Sequence, residues 1–241
     1  MLEINNLSKV IDIRPVINNV SFQVDDGEMI SMCGDPYGAD LVLQAIPGLL
    51  QIKRGNVKLD DVVVAGHGMT KQSEKYVGEF SYISTTGTLL WERGFDYNLK
   101  LRGEWFEDYD SAYAVEVLET LAPKFNRKKR AARMKEEELA IAAFALGLGM
   151  RAKYYLVDFI WKDIADGTIK EKCLEMLEKK KRQGGSILAV MDEAFLCGLG
   201  REHFKRIIFM KQGALITDSI PQESEDKKLE SLLEEWKRVA R

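Results

Sequence analysis

Residues Met29-Ile30-Ser31-Met32-Cys33 form an apolar run that breaks at Gly34, meets a second glycine at Gly38 and gives way to helical apolar spacing up to Leu50. A run without polar alternation suits a strand buried on both faces, and such a strand needs layers of helix or sheet above and below it. Two runs of the same kind recur, Tyr154-Tyr155-Leu156-Val157 and Ser186-Ile187-Leu188-Ala189-Val190-Met191, with the charged helical stretch Thr168 to Arg182 between them. Strand, helix and strand in that order predict crossover units and a largely parallel sheet, so the chain reads as α/β.

Around these runs the pattern differs. Leu2-Glu3-Ile4-Asn5-Asn6-Leu7 and Val16 to Val24 read as antiparallel strands, bent at Pro15 and closed by Asp25-Asp26-Gly27. Gly55 to Val64 predicts a hairpin turning at Asp60-Asp61, and Phe80 to Thr85 a short strand. From Asp96 to about Met150 the spacing is helical, with Ala112, Val115, Leu118 and Leu121 as one stripe stopped by Pro123, and a second helix from Glu136 to about Gly147. Arg206 to Met210 and Ala214 to Asp218 form a last strand pair about Lys211-Gln212-Gly213. Leu229, Leu232, Leu233, Trp236 and Val239 line one face of a terminal amphipathic helix. The expected organisation is a core of residues 1–90 and 150–220 with an antiparallel β part, a helical subdomain at 91–149 and a helix within 221–241.

With 241 residues, 46% of them hydrophobic, the chain can bury a substantial core. Its 35 basic and 38 acidic residues give a net charge of −3, which argues against a nucleic-acid partner. No apolar run reaches the ~18–20 residues of a membrane span, and Met1-Leu2-Glu3-Ile4 has no signal-peptide character, so a cytoplasmic protein is expected. Cys33, Cys173 and Cys197 are too scattered for a disulfide framework and are expected to be buried thiols. His67 and His203 lack metal-ligand spacing, so no metal site is expected and both read as surface residues.

The Gly34–Gly38 turn has the layout of a phosphate-binding loop, in which backbone N–H groups cradle phosphates, a lysine reaches the outer phosphates and a hydroxyl holds magnesium. Only three residues separate its glycines where four are usual. One register puts Ala39 at the lysine position and Asp40 at the hydroxyl; the other puts Asp40 at the lysine position and Leu41 at the hydroxyl. In both, a carboxylate stands where a triphosphate needs a cation or a metal ligand.

From about residue 2 to residue 220 the layout resembles the nucleotide-binding subunit of ABC transporters, a P-loop NTPase-like ATP-binding cassette. With Asp158 on the family's Walker B aspartate, Met134-Lys135-Glu136-Glu137-Glu138 falls on the LSGGQ signature, and Leu139 to Leu146 on the helix after it. Thr85 falls on the Q-loop glutamine, Asp192 on the switch histidine and Phe159 on the glutamate that polarises water, while Ile11 stands about where an aromatic would stack on adenine. Gly94 to Leu99 resembles the start of the helical subdomain, and Lys205 to Gly213 the closing strand and turn.

The resemblance implies the cassette fold, a mostly parallel sheet with an N-terminal antiparallel part and a helical subdomain. The departures imply that catalysis is gone, because phosphoryl transfer depends on positioned charge and the cation, metal ligand, base and phosphate sensor are all replaced. No cofactor is then expected; ATP with magnesium would bind only if the degenerate site still holds it. The implied partners are a membrane-spanning transporter subunit and a second cassette, in a homodimer or heterodimer, with the chain peripheral at the inner face of the cell membrane. Trp91, Phe95, Tyr97, Trp105 and Phe106 are candidate docking residues, and Arg127-Lys128-Lys129-Arg130 with Arg133 reads as a solvated helix face with internal ion pairs. The alternative is a weak ATPase whose site a partner chain completes.

Overall fold

The computed structural model describes residues 1–68, 74–219 and 229–239. Its strands are β1 Leu2–Ile11, β2 Arg14–Val24, β3 Met29–Cys33, β4 Arg54–Leu59, β5 Val62–Gly66, β6 Phe80–Ile83, β7 Tyr154–Val157, β8 Ser186–Val190, β9 Arg206–Lys211 and β10 Ala214–Ser219. Its helices are α1 Pro36–Ala45, α2 Glu74–Val77, α3 Phe95–Trp105, α4 Ser111–Leu121, α5 Glu136–Leu148, α6 Gly167–Arg182, α7 Glu193–Phe195 and α8 Leu229–Val239.

These strands make two sheets. The first is antiparallel, in the order β2-β1-β4-β5; the second has the order β10-β9-β3-β8-β7-β6, parallel except where β10 returns against β9. The apolar runs account for the second sheet directly. Along its central strands alternate residues enter opposite cores: Ile30, Met32, Leu156, Leu188, Val190 and Ile208 pack toward the first sheet and α1. Met29, Cys33, Tyr155, Val157, Ile187, Ala189 and Phe209 pack toward α5 and α6. Burying each large apolar side chain stabilises the fold by roughly 1.5–3 kcal/mol, so a strand slipped by one residue would still be apolar but would misplace every side chain. In α5 every residue from Leu139 to Leu148 is buried, which is why that helix is apolar all round.

Four local expectations are corrected. Pro15 does not bend the chain; it pairs with Val10 inside β2, and the turn is at Asp12-Ile13, both with positive φ (45° and 64°). β2 is an edge strand, where proline's missing N–H costs no ladder bond. The buried stripe of α4 is Ala114, Val117, Leu118 and Leu121, with Ala112 exposed and Val115 half-buried. The helical spacing at 96–121 is interrupted because Asp110 caps α4, its carboxylate accepting from Tyr113 N at 2.9 Å. Residues 127–130 lie in turns rather than on a helix, though internal ion pairs are present: Arg127 with Asp96 (2.6 Å), Lys129 with Glu138 (2.5 Å) and Arg130 with Glu92 (3.6 Å).

Two further residue expectations need adjustment. Cys33 and Cys173 are buried but Cys197 only partly; His67 is exposed, whereas His203 is half-buried beside Glu178 at 3.6 Å. The terminal helix is described over Leu229–Val239 and docks on the chain's own core through Leu229, Leu233 and Trp236, whose ring lies 5.9 Å from that of Phe209. The rest of 221–241 lies outside the described residues.

Candidate functional site

The carboxyl ends of β3, β6, β7 and β8 open at one edge of the parallel sheet, and the residues singled out at 34–40, 85, 158–159 and 192 follow these strands. β3 leaves the sheet through Gly34 at φ +91°, where a Cβ would stand 2.4 Å from the Met210 carbonyl oxygen. Only glycine fits that conformation and that approach. Asp35 then caps α1: one carboxylate oxygen accepts from Gly38 N at 3.1 Å, and the other from Gly213 N at 2.9 Å. Gly213 has φ +74° and would clash with the Val16 carbonyl oxygen at 2.4 Å if it bore a Cβ, so the two turns meet only because both carry glycine.

The helix therefore starts at Pro36 and ends at Ala45, earlier at both ends than its apolar spacing implied. Gly38, Ala39 and Asp40 are helical residues rather than loop residues, and the turn between β3 and α1 is two residues long. Proline at the first helical position after an aspartate is a start signal in its own right, and Asp35-Pro36 was the part of the sequence that could have revealed it. Beyond Ala45, Pro47 and Gly48 (φ +75°) stop the helix.

On the next turn of α1, Asp40 accepts from the Tyr82 hydroxyl at 2.6 Å and from Gln44 Nε2 at 2.8 Å. Burial raises its pKa to about 6, and the neighbouring Asp158 charge acts in the same direction. Burial and the same two carboxylates push the Tyr82 phenol well above its ordinary value, so it remains a donor. Asp158 follows β7, its N–H donating to the Ile83 carbonyl at 2.9 Å. Its side chain accepts from Ser84 Oγ at 2.9 Å and from Phe159 N at 2.5 Å. Asp40 and Asp158 thus form a carboxylate pair in a frame of Tyr82, Gln44 and Ser84.

The remaining expected site residues have separate surroundings. β6 ends at Ile83, and Ser84 rather than half-buried Thr85 bonds to Asp158. Phe159 is half-buried with Lys162 Nζ 5.9 Å from its ring centre, and Asp192 caps α7 by accepting from Phe195 N at 2.6 Å. Ile11 ends β1 half-buried against the core shared with α1. At the start of α5, Met134 is buried and Lys135 exposed. Glu138 turns back to accept from Lys135 N at 2.7 Å and from Lys129, whose hydrogen bond lowers its pKa. Glu137 accepts from Ala165 N at 3.1 Å, and Glu136 is exposed. Among the described residues no group of three or more His, Cys, Asp or Glu side chains is arranged to hold a metal ion.

Of the candidate docking residues, Trp91, Tyr97 and Trp105 are exposed, but Phe95 is fully buried against Phe125 and Phe106 is half-buried. Phe95 opens α3 and faces the core; its apolar character served packing. No helix among the described residues is long and apolar enough to cross a membrane.

No protein-family model matches the chain. It is, however, 24% identical to the phosphonates import ATP-binding protein PhnC 1 of Nostoc sp. (strain PCC 7120), over 96% of this chain and 91% of that protein. It is 22% identical to the probable ABC transporter ATP-binding protein PEB1C of Campylobacter jejuni (strain 81-176), over 92% of each. Among solved structures, an ATP-binding subunit of an ABC transporter superposes with TM-score 0.80 at 19% identity, covering 98% of this chain and 99% of that one. The dimeric ATP-binding cassette MJ0796 bound to ADP and Pi gives TM-score 0.76 at 16% identity, covering 92% of this chain and 99% of that one. The fold is that of an ATP-binding cassette, with its N-terminal antiparallel sheet, mostly parallel second sheet and surrounding helices.

Proposed function

We propose that this chain is an ATP-binding cassette of the ABC transporter family that has exchanged its nucleotide chemistry for internal hydrogen bonds, and that it serves as a structural or regulatory subunit of a transporter complex. Membership is supported by whole-length similarity to ABC transporter ATP-binding proteins and by the fold.

The observation that carries the loss of nucleotide binding is Asp35. Its two carboxylate oxygens accept from Gly38 N and Gly213 N, so a fixed anion of the chain itself caps the helix N-terminus that a phosphate would approach. Asp40 and Asp158 add carboxylate character beside it, and no lysine occupies residues 34–44. A magnesium triphosphate does not fit this set: it would have to displace a carboxylate from its own donors and approach others without a protein cation. With Phe159 and Asp192 at the positions expected of base and sensor, no route through ATP is assigned to this site.

What the scaffold retains is surface. Segment 91–149 is proposed as the subdomain that docks a membrane-spanning subunit, through exposed Trp91 (49%), Tyr97 (45%) and Trp105 (68%). Pairing with a second cassette, identical or different, is proposed from the dimeric state of the MJ0796 cassette, and a cytoplasmic position at the inner membrane face from the docking role. Calorimetric titration of magnesium ATP tests the reading, first into the chain alone and then into the chain with a co-purifying cassette. No heat at ~1 mM nucleotide is expected in either case. Saturable micromolar binding by the chain alone would overturn it, and binding only with the partner would instead establish a shared, partner-completed site.

A further inference from the structure

At the other end of the parallel strands, a cleft of 540 Å³ opens between α4, the turn at Arg151 and Ala152, and the last turn of α6. It lies at the start of β7, beside Tyr155, whereas Asp158 follows the end of that strand about 10 Å away. The cleft is therefore separate from the carboxyl edge of the sheet, and a ligand in it is independent of whether nucleotide binding is lost there.

Its lining combines three cations with one carboxylate. Lys180 is only 7% exposed, yet among the described residues no carboxylate pairs with it. Its ammonium makes a long 3.5 Å hydrogen bond to the Met150 carbonyl oxygen and lies 4.7 Å and 5.4 Å from the ring centres of Tyr113 and Tyr155. Lys179 Nζ stands 4.6 Å from the same Tyr113 ring. Asp110, the acid of the group, is engaged twice: it caps α4 through Tyr113 N at 2.9 Å and meets Arg151 at 4.0 Å. Lys179, Lys180 and Arg151 set against Asp110 leave two positive charges uncompensated in the lining.

Two groups are thus left incomplete. A buried ammonium held by ring faces and one weak carbonyl bond recovers only part of its hydration, since a cation–π contact is weaker than the hydrogen bonds to water that it replaces. Burial accordingly lowers the Lys180 pKa to about 8, with Lys179 and Arg151 acting the same way and Asp110 opposing them. The Tyr113 hydroxyl is buried without a hydrogen-bond partner among the described residues, out of reach of a ligand in the cleft. The carbonyls ending α6 contribute a partial negative charge, which the two lysines of that turn outweigh.

We infer that this cleft binds a small phosphate monoester, with the Lys179 and Lys180 ammoniums as charge partners of the dianion. A phosphate monoester carries about two negative charges at neutral pH, which matches the uncompensated charge of the lining, and offers acceptor oxygens to both ammoniums. The cleft is much larger than a phosphate group, so the organic part of the ligand has room beside Arg151 and the rim.

The test is titration of phenyl phosphate into the full chain at constant ionic strength, followed by calorimetry and by the ε-methylene resonance of Lys180, with phenol and sodium sulfate as controls. One site with a dissociation constant below about 1 mM is expected, together with a rise in the Lys180 pKa. Lys180→Met, which removes a buried unpaired charge and should not impair folding, is expected to weaken binding at least about 10-fold. Lys179→Met removes the second charge and is expected to weaken it about 3- to 10-fold. Absence of saturable binding by about 10 mM, or binding unchanged in both variants, would overturn the site. Sulfate or phenol binding as tightly as phenyl phosphate would overturn the assignment to a phosphate monoester.

Discussion

Along β7, Leu156 is fully enclosed by apolar side chains, and two residues further on Asp158 stands next to a second carboxylate. The body of the parallel sheet and its carboxyl edge are thus built under different constraints. The body needs apolar side chains of suitable volume in alternation, a requirement many sequences meet. The edge is specified by individual charges and hydrogen bonds, where replacing one group changes what the site can hold. On the proposed reading the cassette scaffold persists while its phosphate chemistry is lost, because little of the packing energy resides at the edge.

Substitution in the body gives the largest expected effect. Leu156→Ala removes a fully buried side chain from the core between the two sheets and is expected to cost about 2–5 kcal/mol in urea denaturation. At the edge, Asp35→Ala deletes the cap of α1 and leaves Gly38 N and Gly213 N without their acceptor; about 1–2 kcal/mol is expected. If Asp35→Ala costs as much as Leu156→Ala, the contrast between body and edge fails. The same variant tests the anion seat. With the carboxylate gone, sulfate should raise its melting temperature more than it raises that of the unaltered chain.

Legibility in the sequence divides along the same line. Buried strands announce themselves by runs such as Tyr154 to Val157, because burial on both faces excludes polar side chains and leaves a local signal. The Asp60-Asp61 hairpin was legible too, since a two-residue turn with positive φ at both positions favours Asp. Gly34, Asp40 and Asp158 lie at the same end of the sheet, while α1 starts earlier than the phosphate-loop pattern implies. The determining interactions, Asp35 with Gly213 and Asp40 with Tyr82, join residues far apart in the chain and leave no periodic trace. The bond of Ser84 to Asp158 likewise joins residues far apart in the chain, and no spacing reveals it. In α4 the stripe was misplaced because Val115 and Ala112 are apolar without being buried.

The carboxylate pair allows the comparison to be sharpened by pH. The Asp40 pKa is raised from 3.8 to about 6 in the fold, so the native state binds its proton more tightly than the unfolded chain does. Stability tied to this group therefore falls as pH rises from about 4 through about 6 and stays reduced above that. Asp40→Asn removes the charge while keeping an acceptor for Tyr82, and Gln44 can rotate its amide to face the new one. The variant should exceed the unaltered chain by on the order of 1 kcal/mol at pH 8, with the difference vanishing toward pH 4. A gain independent of pH would mean that packing, not ionisation, governs the position.

The smallest effect is expected at the start of α5, where Glu138 pairs with Lys129 at the surface and accepts from Lys135 N. Here the sign is opposite. The Lys129 hydrogen bond lowers the Glu138 pKa below its usual 4.5, so the contribution is present above that value and is lost as pH falls through the folded-state pKa. Glu138→Gln keeps an acceptor for the backbone N–H but removes the charge, and less than about 1 kcal/mol should be lost at pH 7. The loss should shrink in ~1 M salt, because a half-buried pair that still meets solvent is partly screened there. Asp40→Asn should be much less affected by salt, since a partly buried carboxylate pair is shielded from solvent ions. Denaturation of both variants at low and high salt would separate the two kinds of acidic position: one that stabilises through its charge, and one whose charge the fold tolerates at a cost.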